Sequence, residues 1–276
     1  MIYDATPCTL GEGPLWHPER QELFWFDIIG KRLHRKGWQW QFDNFTSAAG
    51  WVDARTLLIA DAKGLFRFDL ESGTREAVAA LEADRPATRS NDGRADPYGG
   101  FWIGTMGIKA DPGAGAIYRY YRGELRQLFA GITIPNAICF SPDGTQAFFT
   151  DTPTRRIMRQ PLSDLDGWPQ GDAVPWLDLG AEGLNPDGAV IDAQGNFWNA
   201  QWGAGRVACY APDGTFLMAV DFPAIQTSCP AFGGTDLRTL FCTSAAEGLS
   251  DDNPDQGKTC ATQVDATGQK EHQVIL

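Results

Sequence analysis

One pattern recurs six times along the chain and restricts its fold more than any other feature. The runs ELFWFDI, TLLIAD, FWIGTM, AFFTDT, NFWNAQW and TLFCTS are aromatic or β-branched and are bounded by Gly, Pro, Asp and Asn, as strands are. When they are aligned, Trp25, Leu58, Trp102, Phe149, Trp198 and Phe241 fall at like positions. A first strand and a polar turn precede each run, with turns such as HPERQE, SPDGTQ and DAQGN. A further strand follows, as in GLFRFDL and GAIYRYYRG. The unit is roughly 35–50 residues long. Each unit is a small sheet that cannot cover both of its faces, and stacking neighbours around an axis covers them. The expectation is therefore an all-β chain, one six-bladed β-propeller domain spanning residues 1–276. The 31 glycines and 17 prolines suit such a turn-dense fold, and no long helical period competes. Ile2–Asp4 is expected to close the ring by pairing into the last blade. A β-sandwich would leave six matched units unexplained, and the Gly-His and Trp-Asp pairs of scaffold propellers are absent.

Polar residues recur in one register of this repeat. Five places before the turn stand Glu12, Ala48, Asn91, Asn136 and Asp187 in the first five units, and Ser228 or Cys229 in the sixth. The innermost strand of each blade lines the central channel, so Glu12, Asn91, Asn136 and Asp187 would ring one mouth at one height. Each of these segments, taken singly, is also a plain turn sequence. Taken together they put two carboxylates into a confined space, where they repel and are costly to desolvate unpaired. A divalent cation relieves both costs. Oxygen-only donors favour Ca, Mg or Mn, with Zn and Fe(II) as alternatives.

Other chemistries find no support. The formal net charge of −12 opposes nucleic acid. No run reaches the ~18 apolar residues of a membrane span, and the N-terminus lacks the basic and apolar regions of a signal peptide. A cytoplasmic protein is expected, its six cysteines buried and reduced. No G-x-S-x-G elbow, Walker loop or dinucleotide fingerprint is present, and His17, His34 and His272 are too scattered for a triad or a zinc site.

The segments LGEGPLWHPERQELFWFDI, RSNDGRADPYGGFWIGTM, GAIYRY, IPNAICFSPDG, NPDGAVIDAQGNFW and FGGTDLRTLFCTS follow one another in an order and spacing that resemble the senescence marker protein / gluconolactonase / regucalcin family of six-bladed propeller lactonases. The resemblance runs from Leu10 to the segment at Phe232. It implies a divalent metal (Ca, Zn, Mn, Mg or Fe(II)) held by Glu12, Asn136 and Asp187. It further implies Arg89 and Asn91 facing a sugar lactone, and Asp111 in the IKADPGAG loop in place of a glutamate that some members carry there. The implied reaction is ring opening of an aldonolactone by water with Asp187 as general base, the metal acting as Lewis acid. The implied substrate is a small sugar lactone; nucleic acid and membrane are not expected as partners, and a monomer or small homo-oligomer is expected. Two alternatives stay open: a metal-dependent aryl ester or phosphotriester hydrolase, and a non-catalytic calcium-binding regulatory protein. The acidic stretch GLSDDNPDQGK after Glu247 is expected to be solvated surface at the edge of the site.

Overall fold

The computed structural model describes residues 1–250 and 253–276; Asp251 and Asp252 of the acidic stretch lie outside the described residues. Among the described residues it is all-β, with six four-stranded antiparallel sheets and a single short 3-10 turn at Thr152–Thr154. Five sheets are formed by four consecutive strands each, and the sixth takes Ile2–Asp4 as its outer strand beside Thr259–Gln263. Strands from the two ends of the chain thus close the ring, as the sequence leads one to expect. A propeller results, whose inner strands are Gly11–His17, Thr46–Trp51, Thr88–Ala95, Pro135–Phe140, Asn185–Ile191 and Thr227–Gly233. Each contacts the next around a central channel.

The aligned aromatic and aliphatic residues of the six runs occupy the second strand of each blade. Trp25, Trp102 and Trp198 are among the largest fully buried side chains, and Leu58, Phe149 and Phe241 are buried with them. Full burial of one large apolar side chain contributes about 1.5–3 kcal/mol, so the repeat is a repeat of core anchors. Their partners across the ladder on the third strand are His34, Arg67, Arg119, Met158, Cys209 and Ala261. That position accepts almost any side chain, and the chemistry found there is a property of each blade. In blade three it is Arg119, which is fully buried and pairs with Asp96 through Nε at 2.6 Å.

Every inner strand changes register against its neighbour once, at Glu12/Leu15, Thr46/Ala48, Ser90/Gly93, Asn136/Cys139, Pro186/Ala189 and Thr227/Pro230. Such bulges leave a residue outside the ladder and re-aim the side chains beside it. The chain's final residues cross the far end of the channel. Val274 N donates to Trp51 O, Ile275 N to Gly99 O, and the Gln269 amide to Phe140 O and Ile191 O. Glu271 pairs with the buried Arg94 there. The channel is therefore covered at this end and accessible at the other. All six cysteines are buried and none is disulfide-bonded. No helix among the described residues is long and apolar enough to cross a membrane.

Candidate functional site

The open end of the channel is a cavity of about 410 Å³, lined in part by Glu12, Arg89, Asn91, Asn136 and Asp187. Five of the six residues singled out by sequence are thus together. They arrive there through the bulges. Glu12 and Asn136 sit where the bulge begins, opposite Phe26 and Thr150. Asn91 and Asp187 sit one place later, past Ser90 and Pro186, which still face Thr105 and Gln201. The common register of the sequence is therefore offset by one ladder position, and the bulge absorbs the offset. After Glu12 and Asn136 the chain takes a left-handed residue, Gly13 at φ 53° and Ala137 at φ 57°. At Gly13 a Cβ would come within 2.3 Å of Ser47 O, so close packing between blades one and two also demands glycine.

Hydrogen bonds fix the polar lining. Arg89 Nη1 donates to Ser90 O and to Asn91 Oδ1 at 2.8 Å. Asn91 Nδ2 donates to Pro135 O and to Asn136 Oδ1 at 3.1 Å. Asn136 Nδ2 donates to Thr152 Oγ1, whose hydroxyl donates to Pro186 O. One relay thus runs from blade three through blade four to the residue before Asp187. It sets both carboxamides with their oxygens known: each Oδ1 accepts and each Nδ2 donates. No hydrogen bond uses Arg89 Nε or Nη2 among the described residues, and those donors are left for a ligand.

Glu12 and Asp187 are each 5% exposed. Burial raises the proton affinity of both well above the ordinary carboxylate range, and their neighbours' negative charges add to it. Asp92 is a third buried carboxylate, pushed up to about 6 by burial although Ile138 N donates to its Oδ2. Arg89 is drawn down to about 10 by burial, against the charges of Glu12, Glu247 and Asp187. One guanidinium does not neutralise this set. The donor chemistry fits a divalent cation: Glu12 and Asp187 carboxylates with the Asn136 Oδ1, all hard oxygens around one cavity.

Asp111 does not join them. It is exposed and folds back over Gly107, with its Oδ2 2.8 Å from where a Cβ of that glycine would stand. Ala114 N bonds to Asp111 O, and this tight turn presents Ile108, Lys109 and Ala110 to the cavity instead. Sequence reasoning also missed Met106, Thr152, Trp202 and Glu247, which line the same space. For Met106, Thr152 and Trp202 a signal existed. Antiparallel pairing sets the end of each second strand beside the start of its inner strand, as with Arg89 opposite Met106 and Asn185 opposite Trp202. Glu247 stands on a loop and carried no such signal.

A family model described as "SMP-30/Gluconolactonase/LRE-like region" matches residues 10–246. An L-arabinolactonase of Azospirillum brasilense is 35% identical over 267 residues, covering 90% of this chain and 84% of its own. A 6-deoxy-6-sulfogluconolactonase of Pseudomonas putida is 34% identical over 273 residues, covering 95% of this chain and 94% of its own. The crystal structure of a calcium-binding protein, regucalcin, from Agrobacterium tumefaciens superposes with a TM-score of 0.97 at 42% identity. The match covers 100% of this chain and 97% of that one.

Proposed function

The chain belongs to the SMP-30/gluconolactonase/LRE-like family, and on that premise we propose that it is a divalent-metal-dependent lactonase that hydrolyses a sugar (aldono-)lactone to the aldonic acid. Lactone hydrolysis is what the names of its relatives describe. The observation that carries the finer reading is the pair of buried carboxylates, Glu12 and Asp187, sharing one cavity with Arg89 and two carboxamides. Glu12, Asn136 and Asp187 would hold the cation. When bound it supplies Lewis-acid polarisation of the lactone carbonyl.

The chain's own residues do the rest. Arg89 and Asn91 orient the sugar, the free Nε–H and Nη2–H groups of Arg89 donating to ring hydroxyls or to the oxygen on which charge develops. Asp187 accepts a proton from the attacking water at a carboxylate oxygen. The same proton is returned to the ring oxygen as the acyl–oxygen bond breaks, leaving a carboxylic acid and a free hydroxyl. Met106, Ile108 and Trp202 supply apolar wall that limits water at the mouth.

The regucalcin neighbour, described as calcium-binding, favours a second reading as a non-catalytic calcium binder. Arg89 opposes it, since a site built only for calcium has no use for unpaired guanidinium donors. Replacing Asp187 with Asn separates the two. General-base assistance contributes about 10²–10⁴-fold, so D187N is expected to lose at least 10²-fold in kcat on its best aldonolactone while remaining folded. A D187N protein with near-normal turnover removes Asp187 from the chemistry.

A further inference from the structure

A second cluster stands in blade one, apart from the cavity. Cys8, Asp27 and His34 are 0%, 2% and 3% exposed, and one ligand atom from each lies within 4.8 Å of the others. None of the three lines the cavity at the channel mouth. We propose that they form a second metal site, selective for Zn²⁺, that fastens the ring-closing segment of the chain to its first blade.

The donor set is a thiol, an imidazole and a carboxylate, which is chemistry for Zn²⁺ and unlike the all-oxygen centre of the channel. His34 Nε2 is buried with no hydrogen-bond partner among the described residues. An orphaned buried ring nitrogen is a cost that a metal bond removes. Nothing in the scaffold demands histidine there, since the matching positions of the other blades hold Arg67, Arg119, Met158, Cys209 and Ala261. The Trp25 ring stacks on His34 at 5.5 Å and 12°, which sets the plane of the imidazole.

Asp27 is held ready. Its Oδ1 accepts from Leu10 N at 3.1 Å and from Gly30 N at 3.0 Å. Its Oδ2 accepts only one long bond, from Thr9 N at 3.2 Å, and so keeps a lone pair. Gly30 leaves that oxygen room, because a Cβ there would stand 2.3 Å from Oδ2. Backbone bonds of this kind orient a ligating carboxylate. Cys8 is pinned through its own N–H to Gly257 O at 2.9 Å. Access is short: His34 also lines a surface groove of about 420 Å³ with Asp4, Thr6, Arg35, Trp38 and Gln39.

Position gives the site its role. Ile2–Asp4 belongs to the last blade, while Asp27 and His34 belong to the second and third strands of the first. Cys8 stands on the stretch between Ile2–Asp4 and the inner strand Gly11–His17. A metal on these ligands ties blade six's outer strand to blade one. On binding, the Cys8 thiol gives its proton to solvent.

Co²⁺ added to the purified full-length protein tests this directly. A thiolate ligand gives a sulfur-to-cobalt charge-transfer band in the near ultraviolet, which the oxygen donors of the channel site cannot give. The band is expected in the native protein, to be displaced by Zn²⁺, and to be lost in Cys8→Ser and in His34→Gln. In a Glu12→Gln/Asp187→Asn background Zn²⁺ should still bind one equivalent and raise the melting temperature. Absence of the band in the native protein overturns the site, as does its persistence in folded C8S or H34Q. None of these readouts depends on lactone hydrolysis.

Discussion

At the scale of residues, burial governs how Glu12 and Asp187 behave. Both carboxyls hold protons more tightly in the folded chain than in the unfolded one. Between their unfolded and folded values the native state binds more protons, so stability falls as pH rises through that window. Metal-stripped protein is therefore expected to be most stable in mild acid and to lose stability from about pH 4–5 upward. A saturating divalent cation should flatten that loss, because the carboxylates are then held charged and paired. Thermal melts across pH with and without the cation check this. Equal pH slopes for stripped and loaded protein would show that these carboxyls do not hold the ion. The sequence reveals Glu12, Asn91, Asn136 and Asp187 because their residue types depart from a repeat whose scaffold needs only strands, and Arg89 only through the family resemblance. It does not reveal the placement of Asp111, since one turn over Gly107 decides whether that loop offers its carboxylate or Lys109 and Ala110.

At the scale of elements, the inner strand does two jobs within six to eight residues. Its later half packs as core, and its first half is broken by a bulge that delivers a side chain to the cavity. Alternation of apolar and polar residues announces a strand, but a bulge leaves no mark in composition, so the offset between Glu12 and Asp187 could be seen only in the ladder. Elsewhere the same strands carry purely structural charge. Asp96 at the end of blade three's inner turn accepts from Tyr98 N and Gly100 N and pairs with the fully buried Arg119. Arg119 sits over the rings of Tyr121 and Trp168, its guanidinium carbon 4.5 Å from each centroid. Asp96→Ala would leave that guanidinium buried without its counter-charge. The expected cost is about 3–5 kcal/mol, read from denaturant unfolding, with metal affinity unchanged in the folded fraction. A loss below 1 kcal/mol would mean that Arg119 reaches solvent.

At the scale of the molecule, six sheets need the ring to close, and both chain ends contribute. The N-terminal strand pairs into the last blade, and the C-terminal tail bonds to blades two through five beneath the channel. Closure by Ile2–Asp4 is legible because the sixth unit is short of a strand. The tail's course is not, because its bonds go mostly to backbone carbonyls that any sequence would present. Removal of residues 270–276 should uncover the channel's far end and strip Arg94 of Glu271. The expected outcome is a melting temperature lower by several degrees with the metal site retained; an unchanged melting temperature would make the tail a passenger.

We propose that this propeller hydrolyses a sugar lactone through a metal held by Glu12, Asn136 and Asp187. The most direct test is acid release from a panel of aldonolactones by chelator-stripped protein, before and after adding back Ca, Mg, Mn, Zn or Fe(II) singly. D187N serves as the control for spontaneous hydrolysis. No turnover above that control is expected until a divalent cation is restored, and then turnover on at least one lactone of the panel. Full activity in the stripped protein, or metal-restored cleavage of aryl esters with none of any lactone, would contradict this proposal.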